Sequence, residues 1–94
     1  MKNRIYLIIE NHIDEVSKEV YLDNLTVYNN GLTALRDFER CYNKAIKAIE
    51  KRYGATIGDD YKFFAPDNYF VCCDYAGVDI VYQGRLVERI LEDD

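Results

Sequence analysis

The sequence predicts an α+β domain: one small antiparallel sheet of four to five strands, with a single long amphipathic helix packed on one face, in a ββαββ-like order. Three observations carry that expectation. Residues 4–10 (Arg-Ile-Tyr-Leu-Ile-Ile-Glu) form a β-branched and aromatic run. Residues 32–53 repeat apolar side chains at helical spacing between recognisable end signals. From residue 70 onward, short apolar stretches alternate with turn formers. The 94 residues make one domain spanning 1–94, a size that buries only about 60–65% of the surface its unfolded chain exposes.

In chain order, residues 4–10 read as a central strand buried on both faces, and the polar stretch 11–18 as a connection. Val20, Leu22, Leu25 and Val27 resume an apolar pattern, but the two pairs are out of phase across Asp23-Asn24, which predicts a bulge or a break in the second strand. Asn29-Asn30-Gly31 punctuates the chain with a favoured N-cap residue. Leu35, Phe38, Tyr42, Ala45 and Ile49 then line the apolar side of the helix, widened by Cys41 and Ala48. Gly54 suits a left-handed C-cap, and Lys51 and Arg52 complement the dipole in the last turn. Residues 55–68 read as a surface excursion rich in aromatics. Strands follow at 70–74 and 78–82, joined near Ala76-Gly77, with a second tight turn at Gln83-Gly84 before a last strand over 85–91. Leu86, Ile90 and Leu91 also fit a helical stripe, so a short terminal helix is the alternative.

Composition narrows the function classes. No run approaches the roughly 18 apolar residues of a membrane span, and the N-terminus has no signal-peptide pattern, so a cytoplasmic protein is expected. Cys72 and Cys73 are adjacent and do not suit a disulfide framework; on a strand they point to opposite faces, which leaves one in the core beneath the helix. Cys41 sits on the apolar arc of the helix and reads as core. His12, the sole histidine, has Asp14 and Glu15 close in sequence but no cysteine pair at zinc spacing, so it reads as a solvated loop residue and no metal site is expected. Ser17 lies in nothing resembling a nucleophile elbow. No enzyme activity and no cofactor are expected.

The feature that competes with a merely structural reading is a basic stripe. Arg36, Arg40, Lys44, Lys47 and Lys51 fall within an arc of about 80° on the helix, in a chain of net charge −5 with 17 acidic and 12 basic side chains. Like charges four residues apart cost a few tenths of a kcal/mol each, so the stripe implies an anionic counterpart: phosphate, a nucleotide, or an acidic protein patch. The acidic total argues against direct nucleic-acid binding. Tyr61, Phe63 and Phe64 are the candidate aromatic contacts, for a base or for a protein surface, the equal alternative being a loop folded back over the small core. Because one helix covers one sheet face while residues 5–9 send apolar groups to both, a homodimer or larger homo-oligomer is expected. If the stripe serves self-association, Asp74, Asp79 or Glu88 of a neighbour are its natural partners.

With an opening strand at 4–10, one helix after Asn29-Asn30-Gly31 and a terminal hairpin, the chain resembles the short, acidic accessory proteins of bacteriophages and other mobile elements, anti-CRISPR and other anti-defence proteins among them. No motif of such a family matches residue by residue, so no site is transferred. Together with small size, segregated charge and surplus aromatic surface, the resemblance implies a non-enzymatic inhibitor in the bacterial host cytoplasm that binds and occludes a host protein, a component of a CRISPR-type defence system. The alternative is a homo-oligomer that sequesters a nucleotide signal, with the stripe on phosphate and the aromatics stacked on the base. Mimicry of DNA fits less well, since the carboxylates are scattered.

Overall fold

A computed structural model of the chain describes residues 2–14, 16–54, 56–73 and 80–92. Its elements are β1 (Lys2–Ile13), β2 (Val20–Tyr28), α1 (Gly31–Tyr53), a 3-10 turn at Asp59–Tyr61, β3 (Lys62–Phe64), β4 (Tyr69–Cys73) and β5 (Ile80–Glu92). The strands form one sheet in the order β2-β1-β5-β4-β3, antiparallel at every pairing. The α+β expectation holds, with a fifth strand making the order ββαβββ. Among the described residues no helix is long and apolar enough to cross a membrane.

β1 is longer than its apolar run because the polar stretch after Glu10 stays paired: Asn11 faces Leu22, His12 faces Tyr21 and Ile13 faces Val20. His12 is therefore a strand residue and not a solvated loop histidine; its ring stacks on Tyr21 at 5.4 Å and lies 6.3 Å from Tyr82. The hairpin to β2 is closed by Asp14, whose Oδ1 accepts the backbone N–H groups of Val16 (2.9 Å) and Ser17 (2.8 Å). Those donors, Ser17 foremost, hold the Asp14 carboxyl below its ordinary range.

The phase break in β2 is a bulge. Glu10 pairs with Asn24 and Asn11 with Leu22, which leaves Asp23 as the extra residue. A one-residue insertion restores the phase of the strand beyond it, so Val20, Leu22, Leu25 and Val27 all share the sheet face opposite α1. A second bulge falls in β5, where Cys72 pairs with Tyr82 and Cys73 with Ile80; it lets both Val81 and Tyr82 join the helix-side cluster.

α1 begins at Asn30, whose side chain accepts from the N–H groups of Leu32 (3.0 Å) and Thr33 (3.1 Å), and ends at Gly54 with φ of 67°. Its inward side is Ala34, Phe38, Ala45 and Ile49, packed on Ile8, Ile57, Phe70, Cys72 and Val81. Burying each large apolar member stabilises by about 1.5–3 kcal/mol. Leu35 and Ala48, expected on that side, are exposed, while Ala34 is buried and Ile46 packs against the core.

Two further expectations change. Within residues 56–68 the surface excursion gives way to its alternative, a segment folded back over the core: Tyr61 and Phe64 pack against the core, and residues 62–64 form an edge strand. Nor does the chain turn at Gln83-Gly84: β5 runs unbroken from Ile80 to Glu92 and pairs with β1 over Lys2 to His12, which also excludes the terminal helix. Gly84 is a packing residue, because a Cβ there would overlap the Phe70 ring. The expected link at Ala76-Gly77, with Asp74 and Asp79, lies outside the described residues. Finally, β1 is buried on one face only. Ile8 is fully enclosed under α1, whereas Ile5, Leu7 and Ile9 are half-buried on the open face.

Candidate functional site

The five stripe residues stand exposed along the outer side of α1, spanning about 22 Å at 1.5 Å per residue. The opposite side of the same helix is locked into the core, so the cations are carried on a rigid rod. Arg40 is partly spent: its guanidinium lies 3.3 Å from Asp37, and Asp37 also accepts from the Tyr28 hydroxyl at 2.9 Å. Burial, and then that carboxylate, push Tyr28 up to about 12. Among the described residues, Arg36, Lys44, Lys47 and Lys51 make no ion pair. Glu50, the acid within the last turns, is half-buried and turned inward to accept the Ile57 N–H at 3.0 Å. From Asn43 onward the exposed face is thus basic without an acidic interruption, at the end of the helix where the dipole favours cations.

The aromatic candidates are separated by the sheet. Phe64 stacks on Tyr42 at 4.7 Å and 12° and meets Phe38 at 5.7 Å, so it builds the core, as does half-buried Tyr61. Phe63, its strand neighbour, points the other way; it is 50% exposed and pairs with Tyr69 at 5.3 Å. Stripe and exposed aromatic therefore occupy opposite sides of the molecule.

A groove of about 1050 Å³ opens where the sheet extends past the start of α1, lined by Arg4, Tyr6, Leu32, Leu35, Leu86 and Glu88 among others. Arg4 and Glu88 form an exposed ion pair at 3.4 Å across its floor, which occupies Glu88 within its own chain. Leu32 is 75% exposed at its lip. The helical spacing of Leu32 and Leu35 resembles that of core residues, and only the placement of the sheet beneath α1 reveals the groove.

Two of the three thiols, Cys41 and Cys72, are held in the protonated form, which is the less nucleophilic one. Burial pushes Cys72 and Cys41 up to about 12 each, Glu10 adding to the effect on Cys41. Cys72 lies in the core and Cys73 on the opposite face, as strand alternation requires. Among the described residues no three His, Cys, Asp or Glu side chains converge on a point that could hold a metal ion. No protein-family model, no curated protein and no solved structure matches the chain.

Proposed function

We propose that the chain is a non-enzymatic inhibitor that docks on a host protein through the basic side of α1 and occludes it, the target being an acidic surface on a component of a bacterial defence system of the CRISPR type. The observation that carries the docking mode is the set of cations with no ion pair among the described residues, Arg36, Lys44, Lys47 and Lys51, held in one line on a helix fixed from behind. Unneutralised like charges on a rigid element speed encounter with an anionic surface and select against basic ones. The choice of target rests on the resemblance to anti-defence proteins. Sequestration of a nucleotide is disfavoured, because a base stacked on Phe63 could not have its phosphates on the stripe across the sheet.

The test is a plasmid-interference assay in bacteria carrying a CRISPR-type system, combined with affinity purification of the chain from the same cells. Expression of the chain is expected to relieve interference and to co-purify one effector component in stoichiometric amount, in a salt-sensitive manner. The variant Lys44→Glu/Lys47→Glu/Lys51→Glu should lose both effects while folding normally. Undiminished interference with no stoichiometric partner overturns the proposal.

A further inference from the structure

We propose that the open face of the sheet is the interface of a homodimer, in which a second copy of this chain stacks its β2-β1-β5 strip on the same strip of the first. The area argues for it. Monomeric proteins of this mass, 11.0 kDa, expose about 5,600 Å², and this chain exposes 6477 Å². The surplus, about 880 Å², is close to what one partner contributes to a standard interface, about 800 Å². Shape agrees. The radius of gyration is 14.8 Å and the thinnest extent 18 Å, where a compact domain of this length has a radius near 12.4 Å. The molecule is a two-layer slab lacking a cover.

The chemistry of the face is that of a core cut in half. Val20, Leu22, Leu25 and Val27 are 57%, 63%, 51% and 59% exposed, beside Ile5, Leu7 and Ile9 on β1. Such a surface carries its solvation cost from the moment the chain folds, and a second copy is the one partner whose supply always matches that of the chain. Pairing edge to edge is the poorer solution, since β3 has 3 residues and β2 is kinked by its bulge at Asp23.

Arg85 and Arg89 fix the arrangement. They are the charged side chains that β1 and β5 place on this face, opposite Ile9 and Ile5. A two-fold axis under β5, the middle strand, would set the arginines of both copies against each other. An axis running along β1 avoids this. It stacks β1 on the partner's β1 and β5 on the partner's β2, so each guanidinium emerges past an edge strand into water while its stem lies on apolar side chains. The shared strip is about 14 Å wide and about 35 Å long. That is about 500 Å² of flat area per copy, before the relief of the side chains adds to it, which reaches the roughly 1,000 Å² in total at which solution interfaces begin.

Sedimentation at tens of micromolar is expected to give twice 11.0 kDa for the unmutated chain. Leu22→Glu with Leu25→Glu should give the monomer mass and weaken dimerisation by at least about 100-fold, while Glu39→Gln, on the helix side, should leave the dimer intact. Small-angle scattering of the unmutated chain needs no variant: a stacked dimer about doubles the 18 Å thickness, whereas an edge-to-edge dimer lengthens the slab. A monomer at these concentrations overturns the proposal and assigns the face to a different protein. A lengthened particle, or a dimer indifferent to the Leu22 and Leu25 changes, overturns it equally.

Discussion

Gly84→Ala tests the reading of β5 as one unbroken strand whose glycine makes room for a ring. Gly84 stands opposite Phe70 in the β4–β5 register, and Gly54 is the glycine with positive φ among the described residues, so the backbone at 84 accepts an alanine. By propensity alone the change would stabilise a strand by about 0.5–1 kcal/mol. Packing opposes it. The new Cβ would overlap the Phe70 ring, and that ring is 1% exposed, wedged at 5.4 Å from Phe38 and 5.5 Å from Tyr42. Forcing one carbon into a packed core costs about 1–3 kcal/mol, and overlap with three atoms of an enclosed ring puts this case at about 2–3 kcal/mol, which leaves a net loss of about 1–2.5 kcal/mol. For a domain of this length that lowers Tm by about 5–15 °C, read by circular dichroism. Phe70→Leu alone should cost about 1–2 kcal/mol, yet the double variant should lose less than the sum, with a coupling of about 1 kcal/mol. An unchanged or raised Tm for Gly84→Ala, or strict additivity with Phe70→Leu, refutes the packing argument and returns Gly84 to the role of a turn residue.

Other expectations rest on the same structure. Asn30→Ala removes the acceptor of two helix N–H groups and should cost about 1 kcal/mol in urea denaturation, while Asn30→Asp should retain most of the stability. Cys41 and Cys72 have thiols pushed from 9.0 up to about 12 by burial, and Tyr28 moves from 10.0 to about 12. Between those values the folded state holds more protons than the unfolded one, so the contribution of these three groups is fully present below about pH 9 and is lost as pH rises toward 12; the urea midpoint should drop across that window, and less steeply for Cys72→Ala.

Local rules decide the features that could be read from the sequence. The helix ends were legible because Asn30 and Gly54 act on neighbours a few residues away. The bulge at Asp23 was legible because period-two alternation cannot change phase without an inserted residue. Gly84 was not: a Gln-Gly pair is equally a turn and a close approach, and the deciding atom belongs to Phe70 on another strand. His12 was misplaced for a related reason, since polar residues end a strand unless rings on its neighbours, here Tyr21 and Tyr82, shelter them. At the site, the stripe followed from helical period alone, whereas the partial neutralisation of Arg40 depends on the rotamer of Asp37. The aromatic group was split because residues 62–64 are a strand, and adjacent Phe63 and Phe64 then have to face opposite ways.

The two candidate surfaces lie on opposite sides of one sheet, and that geometry links the proposed assembly to the proposed docking. Stacking two sheets face to face covers Val20, Leu22, Leu25 and Val27 and turns both copies of α1 outward, so the dimer presents two basic stripes pointing away from each other. Neither stripe is consumed by the assembly, because its cations lie a full layer from the buried face. The two interactions should then respond oppositely to salt: the apolar interface holds or strengthens, while docking through exposed cations weakens. A particle with two outward stripes also binds a repetitive or immobilised target by avidity, which can exceed the single-site affinity by about 10²–10⁴. The Leu22→Glu/Leu25→Glu monomer should therefore keep its affinity for a target free in solution and lose most of its residence time on the same target fixed at high density to a surface. Equal loss in both formats would mean that the sheet face itself touches the target, and the division of labour between the two surfaces would fall.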